Sequence, residues 1–250
     1  MRVIITGAAG RIGSQMIEEL SASHELGLVD RLPVPGRRSI VADLAQSRAG
    51  TYRRFWPGSS NRRWREMFEG TEVVLHLSGE ARVEAPREQL LRDNIEATWN
   101  VLDAAARHRV RRVIYASSNW AVKALERELA PACYRPDGPK IGSDAPPRPL
   151  TPYGISKAFG EISGRTFVNE GKLISFLAVR IGSYLSASPK DGERRRQWIG
   201  THDLRSLLRR CVEAEFGGFH VVYGVSAQPN APYDLSHTRR LLSWEPRQLP

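Results

Sequence analysis

The stretch that decides the fold is Arg2-Val-Ile-Ile-Thr-Gly7-Ala-Ala-Gly10-Arg-Ile-Gly13. Residues 2 to 6 form a β-branched run suited to a sheet, and Gly7 ends it. Past the glycines, Ile12, Met16, Ile17 and Leu20 recur at helical spacing. The pattern reads as strand, glycine turn and helix, and the Gly7, Gly10, Gly13 spacing lets backbone approach a pyrophosphate held at the helix N-terminus. Residues 26 to 29 make a second apolar strand that closes on Asp30, where a carboxylate can accept hydrogen bonds from the adenosine ribose hydroxyls. A carboxylate there repels a 2′-phosphate and favours NAD, while Arg31, Arg37 and Arg38 stand near enough in sequence to reverse the preference.

Outward from this unit, strands and helices alternate. Residues 40 to 42 read as a third strand ended by Asp43-Leu44, where an adenine ring would rest, although Asp43 serves equally as a helix cap. Residues 73 to 77 are a fourth strand, 86 to 108 a long helix and 111 to 116 a fifth strand. The Pro- and Gly-rich segment 131 to 152 is a loop into a helix beginning near Tyr153, and 173 to 180 is a sixth strand. A helix over 203 to 213, a strand over 219 to 223 and a short helix over 236 to 242 follow. Such alternation predicts an α/β fold of the Rossmann type, a doubly wound parallel sheet covered on both faces. The expected organisation is one domain, with a dinucleotide-binding core over 1 to 180 and small substrate-capping elements over 181 to 250.

Composition excludes several classes. With 250 residues, 41% hydrophobic and 26% charged, the chain is neither disordered, collagen-like nor a disulfide scaffold. Its apolar runs fall far short of the roughly 20 residues needed to span a bilayer, so no membrane segment and no signal peptide are expected. Cys133 and Cys211 stand apart from any metal-ligand spacing, which argues for a reduced cytoplasmic setting and no metal. The net charge of +10 comes from 37 basic residues, 32 of them Arg, spread along the chain without a nucleic-acid-binding motif. It reads as a solvated basic surface suited to small anions, with no nucleic-acid partner.

Tyr153 and Lys157, four apart at a helix start, project from one face. An ordinary Tyr titrates near roughly pH 10, and a neighbouring ammonium would favour the phenolate and make Tyr153 a usable base. The fifth strand ends in Ser117-Ser118-Asn119. Taken together, TGAAGRIG, the strand-end Ser-Ser and YGISK resemble the extended short-chain dehydrogenase/reductase superfamily, which includes the NAD-dependent epimerase/dehydratase family. Within it, RVIYASSN, PYGISKAFGE, AVRIGSYL, WIGTHDL and VVYGVSA are similar to the uronate (hexuronate) dehydrogenases.

The resemblance implies oxidation of a sugar acid at its anomeric carbon to an aldaric acid lactone, with NAD as hydride acceptor. Tyr153 would be the base, Lys157 would hold the ribose and lower the Tyr pKa, and Ser118 would bond the reacting oxygen. Gly7, Ala9, Gly10, Arg11, Ile12, Asp30, Asp43, Leu44, Leu77, Ser78 and Gly79 would contact the cofactor together with Tyr153 and Lys157. Asn119 and Ser183 would line the substrate pocket, and Arg194 would grip the substrate carboxylate, with Arg195 and Arg196 as open alternatives. A homodimer is expected.

Departures from the family pattern bear on the substrate. Trp120 stands where the family has His, 122 to 129 is a charged amphipathic stretch, and Glu80-Ala81-Arg82 replaces a substrate-contacting Ser. Residues 51 to 65, with Tyr52, Phe55, Trp56 and Trp64, read as a basic loop with an aromatic anchor, or as a cover for the adenosine end or a partner surface. Two other functions stay open: a nucleotide-sugar epimerase or dehydratase, which needs more substrate-binding chain than 181 to 250 supplies, and a non-catalytic dinucleotide sensor.

Overall fold

The computed structural model describes residues 1–46 and 60–247. The elements run β1 (Arg2–Thr6), α1 (Arg11–Leu20), β2 (Glu25–Asp30), β3 (Ile40–Val41), α2 (Ser60–Glu66) and β4 (Val73–His76). A continuous helix follows, built of α3 (Arg87–Leu90), a π-helical turn (Leu91–Glu96) and α4 (Ala97–Arg107). Next come β5 (Arg112–Ser118), α5 (Lys123–Leu129), α6 (Pro152–Asn169), β6 (Ser175–Ile181) and β7 (Ser183–Tyr184). The last elements are α7 (Gly192–Arg196), β8 (Trp198–Ile199), α8 (Thr201–Glu213), β9 (Gly218–Gly224) and α9 (Ser236–Leu242).

Seven strands form one parallel sheet in the order β3-β2-β1-β4-β5-β6-β9, and β7 pairs with β8 in a small second ladder. Every residue of β4, β5 and β6 is buried, as strands covered on both faces require. One face carries α1 and α8, whose Met16, Ile17, Leu20, Leu204, Leu207 and Leu208 join Val3, Ile5 and Leu75 in a single cluster. The other carries α4 and α6, around Ile4, Val74, Val101, Leu102, Tyr115 and Phe176. Helix α6 lies close to the sheet because Gly160 faces Tyr115 and Gly164 faces Phe176; a Cβ at either would sit 2.3 or 2.4 Å from the ring. The Rossmann-type fold expected from the alternation is the fold observed, and β9, from beyond residue 181, completes the same sheet at its edge.

Of the basic aromatic segment, Tyr52, Phe55 and Trp56 lie outside the described residues. Trp64 in α2 is fully buried and meets Phe68 edge-on at 5.8 Å. The charged stretch over 122 to 129 folds as α5. No helix among the described residues is long and apolar enough to cross a membrane, and among them no group of His, Cys, Asp and Glu is placed to hold a metal ion.

Candidate active site

The strand order reverses between β1 and β4, and a cavity of about 410 Å³ opens there at the carboxyl ends of the strands. Gly7, Gly10, Arg11, Ile12, Asp30, Leu44, Leu77, Ser78 and Gly79 line it. Gly7 has φ of +72°, and a Cβ on it would lie 2.7 Å from the Ser78 amide nitrogen; one on Gly13 would lie 2.1 Å from the Gly7 carbonyl oxygen. The glycines therefore let the β1–α1 turn lie against both the helix start and the β4 loop. Asp30 accepts hydrogen bonds from the amides of Ala9 (3.0 Å, Oδ2) and Leu32 (3.0 Å, Oδ1), which fixes its carboxylate at the cavity wall. Ala9, Asp43, Tyr153 and Lys157 do not line the cavity: Ala9 donates its amide to Asp30, Asp43 bonds Arg31, and Tyr153 and Lys157 stand in the first turns of α6. An open N-terminus on α1, a turn too tight for side chains and an acid at the end of β2 together fit a dinucleotide.

Ser118 ends β5, and Tyr153 and Lys157 occupy the first turns of α6. That helix starts where it does because Thr151 caps it, accepting the Gly154 amide at 3.1 Å, and Pro152 occupies its first turn. All three side chains are nearly buried, and the Ser118 hydroxyl is near enough to the Tyr153 phenol to act on its proton affinity. Burial pushes the Tyr153 phenol above its ordinary value, the neighbouring Ser118 hydroxyl pulls it down, and the nearby Glu80 carboxylate adds a further upward push. Lys157 is pushed down to about 8 by burial. Its Nζ donates to the Ala116 carbonyl at 2.9 Å and lies 5.7 Å from the centre of the Tyr153 ring. The ammonium expected to lower the phenol is thus turned toward the strand, and in the free protein burial governs both groups.

Beneath this set lies a buried ion pair. Arg180 of β6 bonds Glu161 of α6 in a fork, Nε to Oε1 at 3.0 Å and Nη2 to Oε2 at 2.8 Å, with both residues at most 2% exposed. Ser117 donates to the same carboxylate at 2.6 Å, and Arg180 also reaches Tyr223 and the Ala145 carbonyl at 3.0 Å each. Helix α6 is thereby tied to the strand ends that carry Ser118. On the cavity side, Asn94 in the π-helical turn accepts the Glu80 amide at 2.6 Å and donates to the Glu80 carbonyl and to Ser156 Oγ at 3.0 and 2.8 Å. It bonds backbone groups inside the fold, as its place on an apolar helix face suggests. His76 is buried between Thr6 (2.7 Å) and Thr98 (3.1 Å), a core position, and burial together with the Lys157 charge lowers it to about 3.

The residues expected to line a substrate pocket are arranged in ways the sequence did not reveal. Asn119 accepts from Ser118 Oγ at 3.2 Å, while its amide donates to Gln197 (2.6 Å) and Tyr233 (3.0 Å). Gln197, Tyr233, Tyr134 and Lys123 in turn converge on the buried Glu126 at 2.6 to 3.0 Å, and Lys123 also bonds Glu193 at 2.5 Å. The Lys123/Glu126 spacing along the departing stretch is the one local signal of this network. Ser183 is half-buried on β7 and donates its amide to the Gln197 carbonyl at 2.8 Å. In α7, Arg195 is tied to the Pro189 and Lys190 carbonyls, and Arg196 stacks 4.1 Å over Tyr134. Arg194 is exposed, and among the described residues its guanidinium has no partner.

A topological-switch cavity with a glycine cradle, beside a Ser-Tyr-Lys set, defines a dinucleotide-dependent oxidoreductase of the short-chain dehydrogenase/reductase class. The chain belongs to the NAD dependent epimerase/dehydratase family, which matches residues 3–235. It is 32% identical to the NAD-dependent glucose-6-phosphate dehydrogenase of Haloferax volcanii, over 98% of this chain and 92% of that one. It is also 32% identical to the uronate dehydrogenase of Agrobacterium fabrum, over 98% of this chain and 84% of the relative. A solved mutant uronate dehydrogenase from Agrobacterium tumefaciens complexed with NAD superimposes with a TM-score of 0.77 at 30% identity, covering 99% of this chain and 84% of the other. The protein is an NAD-dependent enzyme related to sugar dehydrogenases, as the sequence motifs imply.

Proposed function

We propose that this enzyme oxidises a small sugar acid of the uronate kind at its anomeric carbon, giving the aldarolactone. The observation that carries the reading is the joint burial of Ser118 at the end of β5 with Tyr153 and Lys157 one helical turn apart at the start of α6, beside the dinucleotide cavity. Ser118 holds the C1 oxygen, Tyr153 removes its hydroxyl proton, and Lys157 supplies the positive charge that makes the phenolate reachable near neutral pH. NAD, when bound, accepts the hydride that leaves C1 as the lactone carbonyl forms. Arg194, the uncommitted member of the Arg triplet, pairs with the substrate's anionic group, and Asn119 and Ser183 frame the sugar. Residues 181 to 250 act as the substrate cap on a core formed by 1 to 180.

Two relatives named for anionic sugars, one a uronate and one a hexose phosphate, support an anionic substrate class. The test is NADH formation with glucuronate, galacturonate and glucose 6-phosphate, each beside its neutral hexose. Turnover of a uronate alone, lost in Tyr153→Phe and with KM raised at least ~10-fold in Arg194→Ala, is expected from loss of a charge-assisted pair. Equal turnover of neutral and acidic sugars would refute the carboxylate grip.

The working form is proposed to be a cytoplasmic homodimer. Leu91, Trp99, Ile155 and Ile162, on the α3–α4 helix and α6, are 48 to 58% exposed on the two helices covering one sheet face. Light scattering should then give twice the chain's 28.0 kDa; a monomer mass would reject the pairing.

A further inference from the structure

Arg31 follows Asp30 and lines the same cavity, yet its guanidinium is already engaged. Nη1 donates to Asp93 Oδ2 at 2.9 Å, and Nη2 donates to Asp93 Oδ1 and to Asp43 Oδ1, the latter at 3.3 Å. Asp93 is 5% exposed and takes a further bond from Arg92 Nε at 2.9 Å, while Asp43 is fixed by the Ala45 amide at 3.0 Å. These carboxylates come from the loop after β3 and from the π-helical turn, so three separate segments meet on one guanidinium. The hydrogen bonds to Asp93 hold Arg31 above its ordinary pKa, as expected for a cation committed to acids. Arg37 and Arg38 are exposed and do not line the cavity.

An unengaged Arg one residue past the β2 acid would be a ready bidentate partner for a 2′-phosphate. Here a phosphate would have to break the Asp93 fork, and it would enter a space lined by the carboxylates of Asp30 and Asp93, with Asp43 on the same guanidinium. We propose that Asp93 and Asp43 hold the Arg31 guanidinium engaged at the cavity wall, so that it cannot take a 2′-phosphate and the clamp, together with Asp30, excludes NADP. This inference rests on the dinucleotide reading of the cavity and assigns its cofactor selectivity to residues that the glycine and Asp30 pattern does not include.

The test is titration calorimetry of NAD and NADP against the full chain, Asp93→Asn and Asp93→Asn/Arg31→Ala, with melting curves to establish folding. The wild type should bind NAD at least ~100-fold more tightly than NADP, and Asp93→Asn should narrow that ratio at least ~10-fold through tighter NADP binding. Adding Arg31→Ala should erase the gain. If Asp93→Asn does not fold, Asp43→Asn should narrow the ratio in the same direction. An unchanged ratio in the folded variants, or a gain that persists without Arg31, overturns the clamp. A wild type that binds neither nucleotide overturns the dinucleotide reading itself and the clamp with it.

Discussion

Lys157→Met should abolish turnover and at the same time make the protein more stable. Lys157 is 6% exposed, its ammonium donates to the neutral Ala116 carbonyl, and among the described residues no carboxylate forms an ion pair with it. Burial lowers it from 10.5 to about 8. At pH 7 both the folded and the unfolded chain carry the proton, and the folded one bears the cost of burying it. As pH rises from about 8 to 10.5 the folded state releases that proton first, so the cost fades. The displacement corresponds to on the order of 3 kcal/mol. Methionine keeps the length and removes the charge, so melting at pH 7 should rise by roughly 8 °C, and the gap should shrink at pH 10.5. Turnover should fall at least ~100-fold, because Tyr153 loses the group that makes it a base. Equal melting temperatures at pH 7 would mean that the ammonium is not unpaired in the way described.

Arg180→Met should have the opposite sign and a comparable size. It leaves the Glu161 carboxylate buried with Ser117 as its remaining partner, and breaking one side of a buried pair costs about 3–5 kcal/mol. Because the pair joins α6 to the ends of β5 and β6, activity should fall together with stability, although neither residue touches the cavity. The double variant Arg180→Met/Glu161→Gln removes the stranded charge and should recover at least half of the loss, measured as the urea midpoint. Two single losses that simply add would show that the fork contributes no coupling.

Much of this was legible in the chain because the relevant patterns are local. The β-branched run, the glycine turn and the amphipathic helix lie within residues 2 to 20, and the four-residue step from Tyr153 to Lys157 is fixed by helix geometry. What stayed illegible depends on partners far apart in sequence. In sequence Arg31 stands beside Asp30 as a residue able to reverse the preference for NAD; in space Asp93, 62 residues away, sets its carboxylate on the guanidinium. Arg194, Arg195 and Arg196 are equivalent as letters; the Pro189 and Lys190 carbonyls and the Tyr134 ring distinguish them in space. Glu126 gathers Lys123 from its own helix and side chains from three distant segments, at positions 134, 197 and 233, and only the first of these has a local signal in the sequence.

The packing of α8 beside α1 has a consequence for how the chain comes to be folded. By the time Lys157 has emerged from a ribosome, the cradle strands and Ser118, Tyr153 and Lys157 have all been synthesised, yet Met16, Ile17 and Leu20 still await Leu204, Leu207 and Leu208. The bonds from Arg205 and Arg209 to Glu18 and Glu19 also close only then. Parallel pairing over such separations is slow, and a sticky apolar face waits open in the meantime. Nascent chains shorter than about 210 residues should therefore be the species that chaperones hold, and a fragment cut at residue 180 should aggregate where the whole chain folds.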